Sequence, residues 1–239
     1  MTEAEFIERW HAEIPLYAAW GDFVLALINE RLAAEVAPTT LDYFIKVPVK
    51  PRLKAENTLV DKAFHRNKGY ADPYVNITDK VGMRFVVLLT GDITKVCSVI
   101  ESLNEFWLYS KDRDYEAERL EKPLEFSYQS MHYIVKVAAD LKHNGITIPA
   151  GTPCEIQVRT LLQHAHSELT HDTLYKPKTT AKPGVKRTVA KSMALIEATD
   201  EFFAQAMDSI NSVIATQTQL LHMLEKIYIE GVGSSSYSL

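Results

Sequence analysis

The sequence of 239 residues holds only two cysteines, Cys97 and Cys154. Two are too few for a disulfide framework, and their spacing matches no zinc pattern. No apolar run approaches the roughly 20 residues needed to span a bilayer. The opening residues, MTEAEFIERW, are acidic and lack the basic and apolar regions of a signal peptide. Together these absences set the expectation of a cytoplasmic chain with no membrane partner. Basic residues are also in deficit, 26 against 31 acidic, for a formal charge of −5. That balance counts against a protein that coats nucleic acid. Neither GxxxxGK[ST] nor GxGxxG occurs, so any bound phosphates would be held by side chains.

What is present is unevenly placed. Hydrophobic residues make up 46% of the chain, enough for the core of one large domain or one domain with helical extensions. Between Lys46 and Lys68 stand seven basic residues and only Glu56 and Asp61 as acids. An island of +5 in a chain of −5 suggests a local anion such as a polyphosphate. Soon after it comes Ile77–Leu89, ITDKVGMRFVVLL, around which the chain is organised. Its apolar run reads as a strand buried on both faces, with Asp79 at the entrance and Arg84 opposite Phe85.

Residues 3–36 carry apolar side chains at helical spacing, with Pro15 expected to start a second helix. Tyr43 to Val49 alternates as an edge strand, and residues 56–67 read as a short helix. An amphipathic helix follows Leu89, then a short strand from Phe106 to Tyr109. Lys111 to Glu125 is heavily charged without periodicity and reads as a mobile loop. Ser130 to Val137 is a strand. In the next strand Glu155, Gln157 and Arg159 alternate with Ile156 and Val158, so the three polar side chains share one face. A helix from Thr160 to about Tyr175 is bounded by a linker at Pro177 and Pro183-Gly184. Val189, Met193, Ile196, Phe203, Met207, Ile210, Ile214, Leu221, Leu224 and Tyr228 fit a heptad that Asp200 and Gln217 break. Such a segment serves either as helices packed on the sheet or as a dimer seam.

Two carboxylates stand out, Asp79 and Glu155. If their strands are neighbours, both can reach one Mg²⁺, a hard cation that takes oxygen ligands and substrate phosphates. Phosphoryl-type transfer needs cations on the phosphates, an in-line acceptor oxygen and a group to take its proton. The basic island supplies the first, and Glu155 is a candidate for the last. Tyr128 and His132, in YQSMH, either stack a nucleobase and meet its ribose or phosphate, or belong to the core. His164 and His166 point about 200° apart on a helix, so no zinc is assigned to them.

The segments RLKAENTLVDK, ITDKVGMRF, YQSMH and EIQVRTLLQHAHSELTHDTLYK occur in the order and spacing of the RelA/SpoT synthetase domain, which this chain resembles from about Tyr43 to Lys176. The resemblance implies an α+β fold, a mixed five-stranded sheet flanked by helices in the nucleotidyltransferase manner. Residues 1–40 and 184–230 would then be helical extensions of a domain over 41–176, and 231–239 a flexible tail. It also implies transfer of a diphosphate from ATP to the ribose 3′-hydroxyl of GDP or GTP, with Mg²⁺. Arg52 and Arg84 match the arginines that sandwich adenine, where a planar guanidinium stacks as Lys cannot. Lys54, Thr58 and Lys62 match the triphosphate-binding set, with Thr58 in place of Ser. Asp79 and Glu155 match the metal carboxylates, and Tyr128 the tyrosine that stacks the acceptor base. His132, Gln157 and Arg159 also match, on the acceptor side.

The departures from the family fall on that acceptor side. Leu124 stands where small guanosine-using members carry a lysine for the acceptor's 5′-phosphates, with Lys122 two residues early. His164 replaces an Asn that reads guanine, and His166 replaces a tryptophan. One reading is a pyrophosphokinase acting on GDP or GTP. A second has the same chemistry on the 3′-terminal adenosine of tRNA, as in toxic relatives, which leaves room for an antitoxin partner. A third is a non-catalytic module sensing ATP or RNA. A homo-oligomer through the C-terminal helices is compatible with any of them.

Overall fold

In the structure, a computed structural model, helix α1 (Glu3–Glu35) runs unbroken through Pro15 rather than restarting there. A proline inside a helix forfeits one backbone hydrogen bond and costs about 3 kcal/mol. Here that cost is outweighed by a long buried stripe, which includes Phe6, Trp10, Tyr17, Trp20, Val24, Ile28 and Leu32. Burying each such side chain contributes about 1.5–3 kcal/mol. The helix begins in a capping box, with the Thr2 N–H donating to Glu5 and the Glu5 N–H to Thr2 Oγ1. The structure describes residues 1–66, 68–127, 129–170 and 182–232.

Along the chain follow α2 (Leu41–Phe44), β1 (Arg52–Leu53), α3 (Glu56–Val60) with a π-helical turn at Asp61–His65, and α4 (Pro73–Asn76). Next come β2 (Val81–Val87), α5 (Thr90–Ser102), β3 (Trp107–Arg113), α6 (Tyr115–Glu121) and β4 (Met131–Val137). The hairpin β5 (Leu141–His143) and β6 (Ile146–Ile148) turns at Asn144-Gly145, both at positive φ, as an Asn-Gly pair favours. Then follow β7 (Pro153–Thr160), α7 (Leu161–Thr170) and α8 (Pro183–Val232).

The five main strands lie in the order β1-β2-β7-β4-β3. β2 and β7 are parallel and the other pairs antiparallel, which makes the sheet mixed. Strand alternation gives it two unlike faces. Met83, Phe85, Ile156, Val158 and Tyr133 belong to the core with α1 and α5. The register Gly82↔Glu155, Arg84↔Gln157 and His132↔Gln157 gathers the polar positions on the other face. β2 is buried on both faces only from Phe85 onward, because Gly82 and Arg84 are half-buried. Close approach requires Gly21 on α1: a Cβ there would lie 2.8 Å from Pro51 Cβ and 2.9 Å from Val81 Cγ2.

Several elements differ from expectation. Tyr43 to Val49 pairs as no strand; the chain turns through α2, and the short edge strand forms at Arg52–Leu53 instead. The charged stretch after Lys111 completes β3 and then forms α6. Asp114 caps that helix by accepting the N–H of Glu116 and of Ala117, both at 3.1 Å. Pro183 and Gly184 open α8, one helix of 50 residues. The Tyr175 helix end, the Pro177 linker and the tail beyond residue 232 lie outside the described residues.

Candidate active site

A cleft of about 650 Å³ opens on the polar face of the sheet. Arg52, Lys54, Thr58, Asp79, Arg84, Glu155, Gln157 and His164 all line it. The pairing Gly82↔Glu155 puts the Glu155 carboxylate over a residue with no side chain; a Cβ at Gly82 would stand 3.7 Å from Glu155 Oε2. Asp79 precedes β2 by two residues and faces the same space. The two carboxylates are close enough that the charge of Asp79 raises the Glu155 pKa.

Each carboxylate is nevertheless kept ionised. Burial alone would raise Asp79, but Lys54 and Lys62 outweigh it and hold the carboxyl below its ordinary value. Lys54 Nζ donates to Asp79 Oδ2, and Lys62 Nζ lies 2.9 Å from Oδ1. Burial and the charge of Asp79 raise Glu155, yet its contacts with His132 and Gln157 leave it below its ordinary value. His132 Nδ1 is 3.5 Å from Glu155 Oε1, and Gln157 Nε2 donates to Oε2 at 2.9 Å. The neighbouring Lys80 points away from the cleft. It is 1% exposed, donates to the Ile77 carbonyl at 2.7 Å and lies over the Tyr74 ring at 4.4 Å, fixing the turn that presents Asp79.

Gln157 joins the parts. Its Oε1 accepts from Arg84 Nε at 3.4 Å and from the fully buried Arg159 at 3.0 Å, while its amide holds Glu155. Arg52 pairs with Gly82, two residues before Arg84, so the two arginines are diagonal neighbours. Such neighbours in an antiparallel pair stand about 7–8 Å apart. Both line the cleft, so both guanidiniums can reach one planar ring bound there. His164 lines the cleft, whereas His166 is buried toward α8, with Nε2 3.1 Å from Ser192 Oγ.

The donor set fits Mg²⁺. Two carboxylates converge on one polar cleft, and Mg²⁺ takes one or two carboxylates with water and substrate phosphates as its other ligands. Among the described residues no group of three or more His, Cys, Asp or Glu forms a fuller metal cage. On the acceptor side, Tyr128 lies outside the described residues. Leu124 is 91% exposed, and Lys122 lines a separate cavity of about 290 Å³ with Arg113 and Arg119. Sequence reasoning gave Lys50 and Arg66 no role beyond membership of the basic island, and Glu168 none. The first two line the cleft, and Glu168 pairs with Arg84 at its wall. Lys50 and Arg66 were visible as members of the basic island; only the fold shows that Glu168 meets Arg84.

Comparison with known proteins gives a consistent picture. The model of the family described as "Region found in RelA / SpoT proteins" matches residues 51–180. No curated protein matches the chain. Among solved structures, the small alarmone synthetase 1 from Bacillus subtilis superposes with a TM-score of 0.67 and 20% identity, over 86% of this chain and 99% of its own. The same protein bound to its product pppGpp gives 0.65 and 19%, over 85% and 99%. A GTP pyrophosphokinase family protein from Streptococcus pneumoniae gives 0.64 and 20%, over 89% and 97%. At these identities the likeness is one of fold.

Proposed function

The chain belongs to the RelA/SpoT family, whose model matches more than half of it, and from that premise we propose that it is an ATP-dependent pyrophosphokinase. It transfers the β,γ-diphosphate of ATP to the ribose 3′-hydroxyl of a guanine nucleotide, GDP or GTP. The observation that carries this reading is the convergence of Asp79 and Glu155 in one cleft with Lys54, Lys62, Arg52 and Arg84. Arg52 and Arg84 sandwich the adenine, and Lys54, Thr58 and Lys62 hold the triphosphate. Moving Lys54 and Lys62 from Asp79 onto phosphate frees that carboxylate. Asp79 and Glu155 would hold Mg²⁺, which when bound supplies charge neutralisation on the transferring group.

The acceptor oxygen attacks the β-phosphorus, the bond from that phosphorus to the α,β-bridging oxygen breaks, and AMP leaves. The hydroxyl proton passes to Glu155, which is ionised and within reach of the cleft. His132 and Gln157 hold that carboxylate in place. Tyr128 and His164 belong to the acceptor side, and Arg159 supports it from below through Gln157.

A second acceptor, the 3′-terminal adenosine of tRNA, is favoured by one observation. Leu124 is an exposed apolar side chain where a lysine for 5′-polyphosphates is expected, and a tRNA end has no such group. Incubating the protein with labelled ATP and each of GDP, GTP, GMP and tRNA separates the two readings. Label on a guanine nucleotide is expected; label on tRNA alone would transfer the proposal to the second acceptor, and label on none would reject both.

We also propose that α8 brings copies of the chain together. Its heptad positions Met193 and Asp200 are buried on the body, but every described residue beyond Met207 is exposed. Ile210, Ile214, Leu221, Leu224 and Tyr228 continue the same seam into solvent. A carboxylate with no partner at the centre of such a seam is costly to bury. Ile214→Asp is therefore expected to shift the protein to monomer in light scattering; an unchanged mass would reject the seam.

A further inference from the structure

Glu168 on α7 lies outside the groups that the proposed chemistry uses, yet it reaches the cleft wall. Its Oε1 accepts from Arg84 Nη1 at 2.9 Å, while Arg84 Nε donates to Gln157 Oε1 at 3.4 Å. A guanidinium's N–H bonds lie in its own plane. Two acceptors on two different edges therefore fix how that plane is turned and leave its faces for stacking. His164 Nδ1 stands 3.7 Å from the same Glu168 oxygen, so the carboxylate is bracketed by two cleft residues. We propose that Glu168 is a positioning residue for nucleotide binding, which presents the face of Arg84 to the adenine. The inference rests on the reading of this cleft as the ATP site.

Charge and position predict opposite signs here. Glu168 is a carboxylate, 60% exposed, at the rim of a cleft that takes a triphosphate. If it acted through charge alone, removing it would tighten the nucleotide. If it orients Arg84, removing it loosens the nucleotide, because a rotamer-rich side chain must then be ordered on binding. The exposed pair itself adds little to folding, so unfolding midpoints should stay nearly unchanged and report that the fold is intact.

The experiment is calorimetric titration of the full chain with a non-hydrolysable ATP analogue in the presence of Mg²⁺. Glu168→Ala is expected to weaken binding about 3- to 10-fold, the cost of immobilising one such side chain. Glu168→Gln, which keeps the acceptor oxygen and loses the charge, is expected to bind within about 2-fold of the wild type. In an Arg84→Ala background, Glu168→Ala should have no further effect, as coupled residues require. Tighter binding by Glu168→Ala, or an equal loss in the Arg84→Ala background, would overturn the inference. If Arg84→Ala weakens binding and Glu168→Ala does not, the inference fails alone. If Arg84→Ala leaves binding unchanged, the reading of the cleft fails with it.

Discussion

Asp79→Asn is expected to lower diphosphate transfer by about 10³-fold, the scale of losing one preorganised charge-stabilising group. The carboxylate lies between Lys54 and Lys62, so the substitution removes a negative charge and leaves two ammoniums without their counter-ion. Those ammoniums reach solvent, with side chains 24% and 20% exposed. The fold therefore loses less than the activity does. Because the folded carboxyl is held below its ordinary value, Asp79 stabilises the fold at neutral pH, and a modest fall in the unfolding midpoint should accompany the variant. Product formation from labelled ATP at saturating acceptor is the measurement. A variant with wild-type turnover would remove Asp79 from the chemistry and support a non-catalytic module.

The second large effect concerns stability. Asp200 on α8 is 1% exposed; its Oδ2 accepts from Thr160 Oγ1 at 2.8 Å, and its Oδ1 has no hydrogen-bond partner among the described residues. Burial pushes its pKa up to about 6 from 3.8, against the Thr160 hydrogen bond and the charge of Arg119, which pull it down. Arg119 is itself paired with Glu197 of the same helix. The folded carboxyl binds its proton more tightly than the unfolded one. It thus favours the fold below pH 3.8, and that contribution is lost as the pH rises through about 6. A difference of about 2 in pKa corresponds to about 3 kcal/mol. Asp200→Asn does not titrate, so it should gain about 2 kcal/mol on the wild type between about pH 4 and about pH 7.5, part of the effect having already developed at pH 4. Any fixed penalty of the amide is the same at both pH values and cancels. Denaturant unfolding at the two pH values measures it, and parallel wild-type and variant curves would contradict it.

The sequence displayed the strands of the site more clearly than their surroundings. The alternation of Glu155, Gln157 and Arg159 is a period of two, and the sheet keeps it. The parallel pairing that places Glu155 beside Gly82 was not visible, because register depends on which strands meet. Tyr43 to Val49 alternates as well, yet its only described backbone bond to the sheet is Lys46 N–H to the Val86 carbonyl. Pro48 in that stretch, Pro51 just after it and the approach of α1 at Gly21 decide where the edge forms. Around Arg113 to Glu121 the charges hide a helix whose cap and Arg113–Glu118 pair are local and specific. Asp200 broke the apolar heptad on paper. In the fold it is the point at which α8 is tied to the end of β7, a partner 40 residues away that no local pattern reveals.

About 32 residues of α8 extend past that tie, which at 1.5 Å per residue is a rod of about 48 Å. Its backbone hydrogen bonds are internal, so it keeps its course although its side chains there are exposed. The tie is Asp200 against Thr160, where β7 ends and α7 begins, with Glu155 up the strand and Glu168 along the helix. One hydrogen bond thus anchors this exposed length at the junction from which both walls of the cleft extend.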